Sequence, residues 1–111
     1  MATVIRPQDR RLEPLAQAKD SGLLMQYLSD DDPYVHMTQV PPGFEIRPHS
    51  HSETEVTVIL SGSVRLGGQV CEAGSVLIID ADEEYALRAG DDQPLTFLVV
   101  RPRRAVYRTS G

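Results

Sequence analysis

The chain has 111 residues, 41% of them apolar and 24% charged, with a net charge of −5. That suffices for one hydrophobic core but not for two, and it is the composition of an ordinary globular domain. No apolar run approaches the roughly 18 residues of a membrane span, the N-terminus lacks the apolar stretch of a secretion signal, and the negative charge disfavours nucleic acid as a partner. Cys71 is the only cysteine and can form no internal disulfide, so the cytoplasm is the expected compartment.

Residues 1–21 read as a peripheral segment, and 22–111 as a single domain. Leu12, Leu15, Ala16 and Ala18 suit one brief helical turn, kept short by Pro14 and Ser21-Gly22. Residues 22–28 form an apolar run that predicts a first strand, ended by the turn-forming Ser29-Asp30-Asp31-Asp32-Pro33. A second strand is expected over 34–40 and stops at Pro41-Pro42-Gly43. Residues 44–47 are extended, because Pro48 biases Arg47 away from helix.

Residues 54–60 are the most β-prone stretch, and Ser61-Gly62-Ser63 turns the chain into a strand at 64–66. Gly67-Gly68 is a hairpin signal leading into 69–71. Further strands are expected at 75–79, 85–88 and 95–100, with an edge at 105–108. The acidic run Asp80, Asp82, Glu83 and Glu84 reads as a solvated loop. About ten short strands separated by turns predict an all-β sandwich or barrel.

Chemistry concentrates between Gly43 and Gly62. On a strand, His49 and His51 project from one face, and Glu55 shares their parity if the strand restarts after a short break. Two imidazoles and a carboxylate form a ligand set for a divalent metal, with Fe(II) favoured and Mn, Ni, Co or Zn also suited. Glu53, of the same parity, is expected as a supporting partner of the ligands or as a substitute ligand ranked below Glu55. Thr57 and Ile59 follow Glu55 on its face and predict a mostly apolar pocket for a small molecule. His36 and Gln39 are alternative polar groups on the preceding strand, and Arg47 is a candidate for holding an anionic substrate, with Arg65 a weaker one. Two clusters of arginines (Arg6, Arg10 and Arg11 early, Arg101, Arg103, Arg104 and Arg108 late) read as solvated tails or a subunit contact.

The pattern of Gly43, five residues, His49, one, His51, three, Glu55, six, Gly62 resembles the first motif of the cupin superfamily. The resemblance implies a double-stranded β-helix, or jelly-roll, barrel and a metal held by His49, His51 and Glu55. It breaks down in the second motif. There Gly74 is kept, but Asp80, Asp82, Tyr85 and Ala89 stand where the family has Pro, Gly, His and Asn. The family's fourth ligand is thereby replaced by Tyr85, expected either beside the metal as a weak ligand or proton donor, or packed in the core. By resemblance the chain is expected to be a metal-dependent enzyme of oxygenase-type or Lewis-acid (isomerase, lyase or cyclase) chemistry, with Tyr85 or Glu55 handling protons. A non-catalytic metal- or metabolite-binding module is the alternative. A homodimer is expected, because Val56, Val58 and Leu60 face away from the site and need cover.

Overall fold

The computed structural model describes residues 2–109. Eleven strands follow in chain order among them: β1 (Glu13–Pro14), β2 (Leu24–Asp30), β3 (Tyr34–Val40), β4 (Glu45–His51), β5 (Glu55–Ser61), β6 (Ser63–Leu66), β7 (Gln69–Glu72), β8 (Val76–Ile79), β9 (Tyr85–Ala89), β10 (Leu95–Arg101) and β11 (Tyr107–Thr109). Only short 3₁₀ segments, Pro7–Asp9 and Ala16–Ser21, interrupt them. No described helix is long and apolar enough to cross a membrane.

All pairings are antiparallel. One sheet has the order β1-β2-β3-β10-β5-β8 and the other β11-β4-β9-β6-β7. From β3 onward the chain passes back and forth between the sheets, which is the double-stranded β-helix expected from the resemblance. Alternation then sorts the side chains. Val40, Ile59, Val64, Leu77, Ile79, Leu87, Leu95, Phe97 and Val99 fill the space between the sheets. Cys71 is buried there as a free thiol.

Both glycines that frame the histidine segment sit where the chain changes sheets. Gly43, between β3 and β4, has φ 72°, and Gly62, between β5 and β6, has φ 77°. Side chains rarely adopt that left-handed region. At Gly62 an added Cβ would also lie 2.5 Å from the Pro94 carbonyl oxygen. The motif's glycines are therefore a requirement of the crossovers.

Three expectations are corrected. β4 and β5 do not form one strand restarting after a break. They belong to opposite sheets, so Glu55 approaches the histidines from across the barrel. The strand expected at 22–28 runs instead over Leu24–Asp30, so that Ser29 and Asp30, expected in the turn, pair with Val35 and Tyr34 of β3. The late arginines are not all solvated. β10 runs one residue past the expected end, and Arg101 is buried with only 8% of its surface exposed.

The crossover at Gly62 gives a direct test. Gly62→Ala is expected to destabilise the fold by on the order of 2 kcal/mol or more, from the left-handed backbone and the carbonyl clash together. Urea unfolding measures it, and an unchanged midpoint would contradict the role given to this glycine.

Candidate functional site

The inner face of β5 places Glu55 and Thr57 in the barrel, and both are almost fully buried. A buried carboxylate needs donors for its lone pairs. Thr57 Oγ1 donates to Glu55 Oε2 at 2.6 Å, and the Tyr85 hydroxyl donates to the same oxygen at 3.3 Å. Arg101 donates to Oε1 twice, from Nε at 3.1 Å and from Nη2 at 2.8 Å. Four donors thus meet the four lone-pair sites of one carboxylate.

The register explains why Arg101 reaches it. On β10, Leu95, Phe97, Val99 and Arg101 share the inward face. Arg101 pairs with Tyr34 of β3 on one side, and on the other Val100 pairs with Val56 of β5, one step from Glu55. Tyr34, Arg101 and Glu55 form a row across three strands. The Tyr34 ring lies 5.5 Å from the guanidinium carbon, within cation–π range, and lines a hollow of about 370 Å³ with Tyr27, Asp30, Arg104 and Ala105.

His51 completes this centre. Its Nε2 is 3.3 Å from Arg101 Nη2 and 3.8 Å from Glu55 Oε1. A guanidinium can only donate, so Nε2 accepts and the proton of the neutral ring sits on Nδ1. That Nδ1 is buried without a partner. His49 has the same tautomer for a different reason, because its Nδ1 faces the Arg47 carbonyl oxygen at 2.7 Å and must donate to it. Its Nε2 is left as an acceptor.

β9 brings Tyr85 opposite His49, with ring centroids 4.3 Å apart, and β11 stacks Tyr107 on His49 at 5.1 Å. The cluster meets solvent at the rings of His51, 11% exposed, and Tyr107, 54% exposed.

The environment separates these groups electrically. Burial pushes the Tyr85 hydroxyl well above its ordinary value, and the Glu55 charge adds to the shift, so Tyr85 remains a proton donor. Burial pushes His51 down to about 4, helped by the Arg101 cation and partly offset by Glu55, so the ring remains neutral. Burial would raise Glu55, but the Thr57 hydrogen bond and the Arg101 charge more than offset it and the carboxylate stays ionised.

Other expected site residues are scattered. His36 points into the barrel, its Nδ1 2.8 Å from Thr38 Oγ1, whereas Gln39 lies on the other face of β3 and donates to Thr96 Oγ1 at 2.9 Å. Ile59 is core. Arg47 is exposed, because the register shift between Ile46 and His49 turns Arg47 and Pro48 outwards. With Arg65 and Arg88 it lines a hollow on the outside of the barrel, apart from the centre. Glu53 is paired at the surface with Arg103. The acidic run is an exposed loop in which Asp82 pairs with Arg108 at 2.7 Å.

The Cupin domain family matches residues 36–101, more than half of the chain. This chain belongs to the cupin family. No curated protein matches it. Among solved structures it is similar to the polyketide cyclase RemF from Streptomyces resistomycificus, at 22% identity and a TM-score of 0.81, over all of this chain and 87% of that one. An uncharacterised double-stranded β-helix protein from Klebsiella pneumoniae is similar at 20% identity and a TM-score of 0.74, over 99% of each chain. A cupin-superfamily sugar phosphate isomerase from Silicibacter pomeroyi is similar at 22% identity and a TM-score of 0.68, over 80% of this chain and 66% of that one. Likeness at this level establishes the cupin fold.

Cupin domains commonly bind a metal, and the donor set here suits one only in part. His49 suits a ligand, since a backbone carbonyl fixes its tautomer and leaves Nε2 bare. His51 and Glu55 do not fit as arranged. His51 Nε2 and Glu55 Oε1 stand 3.8 Å apart with Arg101 Nη2 hydrogen-bonded to both, so the guanidinium holds the position an ion would take between them. Among the described residues, no three His, Cys, Asp or Glu side chains are grouped to hold a metal ion. With Arg101 seated, the cupin centre is built around a guanidinium.

Arg101 is the site residue the sequence reading missed. The signal was present, since parity from Leu95, Phe97 and Val99 runs on to position 101.

A pH dependence follows from the buried imidazoles. Burial pushes His36 down from 6.5 to about 4, and the Arg101 cation adds to the effect while Glu55 partly offsets it. Above pH 6.5 neither the folded nor the unfolded state holds that proton. Between about 6.5 and 4 only the unfolded state takes it up, so stability falls with falling pH by up to about 1.4 kcal/mol per pH unit from this group. His51 acts in the same direction. The stabilisation carried by ionised Glu55 begins to be lost only below its unfolded value of 4.5. Urea unfolding from pH 7.5 to 4.5 is expected to show this loss in the native chain and a slope shallower by about one proton in His36→Gln. Equal slopes would contradict it.

Proposed function

We propose that this cupin is an enzyme acting on a small carbonyl-bearing organic molecule by proton transfer, in the manner of an isomerase or cyclase. One observation carries the reading: a hydroxyl kept protonated (Tyr85) and imidazoles kept neutral (His51) or left with a bare nitrogen (His49) surround one ionised, fully bonded carboxylate. Groups whose proton affinities are driven apart in one small site are the mark of acid–base assignments. In this reading Tyr85 is the acid and His49 Nε2 the base. The unpartnered Nδ1–H of His51 is a donor that a substrate oxygen would satisfy, and Glu55 with Arg101 holds the array in place. Two similar structures are named as a polyketide cyclase and a sugar phosphate isomerase, the two reaction classes of this reading.

A second reading keeps the metal. The carbonyl-fixed His49 favours it, with Fe(II) or another divalent ion held by His49, His51 and Glu55, Tyr85 beside them, and Lewis-acid or oxygenase-type chemistry supplied by the ion. It requires Arg101 to withdraw from Glu55.

The test is exchange of α-hydrogens. Enolisable ketones and hydroxyketones incubated with the metal-free protein in D₂O are expected to gain deuterium, followed by NMR, and Tyr85→Phe is expected to slow the exchange by roughly 10²–10⁴-fold. Binding without exchange would leave a binding module and overturn the enzymatic reading. So would exchange that Tyr85→Phe leaves unchanged.

We also propose that the chain pairs with a second copy through the outer face of the β5–β8 edge. Val56 and Val58 face Ile78 and Val76 there, the latter two 70% and 56% exposed, while Leu60 already lines a hollow with Ile5 and Pro7 of the N-terminal segment. A contiguous apolar strip on an edge strand calls for cover. Sedimentation equilibrium is expected to give a dimer mass, converted to a monomer by Ile78→Glu. A native monomer at micromolar concentration would contradict it.

A further inference from the structure

We infer that Arg101 is a resident cation which takes the place of a metal ion at the cupin centre, and that a latent divalent-metal site lies beneath it. The arrangement is specific to one atom. Arg101 Nη2 lies 2.8 Å from Glu55 Oε1 and 3.3 Å from His51 Nε2, the two donors that the first motif would turn towards a metal. Those donors stand 3.8 Å apart, and the guanidinium nitrogen hydrogen-bonded to both occupies the place between them. Glu55 has no lone pair to spare, because Arg101 takes Oε1 twice while Thr57 and Tyr85 take Oε2.

The guanidinium is also anchored. It is buried on the inward face of β10, under the Tyr34 ring, and Glu55 is its only ion-pair partner among the described residues. A divalent ion bound to Glu55 and His51 would stand beside a permanent cation in a low-dielectric interior, where like charges repel strongly. The barrel therefore satisfies its central carboxylate from within the chain. The substitution of Tyr85 for the second-motif histidine fits the same plan, since its hydroxyl donates to Glu55 instead of ligating.

Metal affinity is the readout, independent of turnover. Purified without a histidine tag, the native chain is expected to bind Co(II) and Zn(II) weakly by titration calorimetry. Arg101→Met, which keeps the bulk and removes the charge, is expected to bind one ion per chain at least 100-fold more tightly, with the visible absorption of tetrahedral Co(II). Arg101→Met/Glu55→Gln should lose that gain. Arg101→Lys, which keeps the charge, should bind as weakly as the native chain. If Arg101→Met is unfolded alone, folding on addition of Zn(II), followed by circular dichroism, is the supporting result, and failure to fold with Zn(II) overturns the latent site. Stoichiometric binding by the native chain as tight as that of Arg101→Met overturns the inference, as does the absence of any gain in a folded Arg101→Met.

Discussion

The structure depends on one buried charge pair. Glu55 and Arg101 face each other between the two sheets, with side chains 4% and 9% exposed. Neither could be there alone, since an uncompensated charge in such a place costs about 3–5 kcal/mol. Once they are paired, the rest of the centre is arranged by their needs. Thr57 and Tyr85 satisfy the carboxylate, His51 accepts from the guanidinium, and Tyr34 covers its face. The neutral imidazoles and the protonated phenol are consequences of burial beside this pair.

The fold puts these groups together from five strands. β3 supplies Tyr34, β4 the histidines, β5 Glu55 and Thr57, β9 Tyr85 and β10 Arg101, with β11 closing over His49 through Tyr107. Because β4 and β5 lie in different sheets, the crossover at residues 52–54 does as much to bring His51 to Glu55 as the strand periodicity does. A jelly-roll barrel converges side chains from both sheets on its axis, and a compact site results from residues far apart in sequence.

Much of this was legible in the chain. Val56-Thr57-Val58-Ile59, the Gly67-Gly68 hairpin and the turn residues around Pro33 and Pro94 mark strands and their ends through local preferences, and the observed strands fall within a few residues of them. The spacing of His49, His51 and Glu55 between two glycines carried the family. What was not legible was anything set by contact across the barrel. Arg101 reads as one more arginine of a basic tail until β10 is known to continue to it, and Arg47 reads as a ligand-face residue until the irregularity in β4 turns it outwards. A bulge leaves no mark in periodicity, and the partner of a buried carboxylate can come from anywhere in the chain. Tyr85 was placed opposite the histidines by motif alignment alone, and its hydrogen bond to Glu55 required the fold.

A guanidinium fills the space between Glu55 and His51. The most direct test is a high-resolution crystal structure of the native chain grown with Zn(II), with anomalous data collected at the zinc edge. Arg101 Nη2 is expected to be bonded to Glu55 Oε1 and His51 Nε2, with no anomalous peak at the centre. A peak about 2.1 Å from His49, His51 and Glu55, with Arg101 displaced, would contradict it.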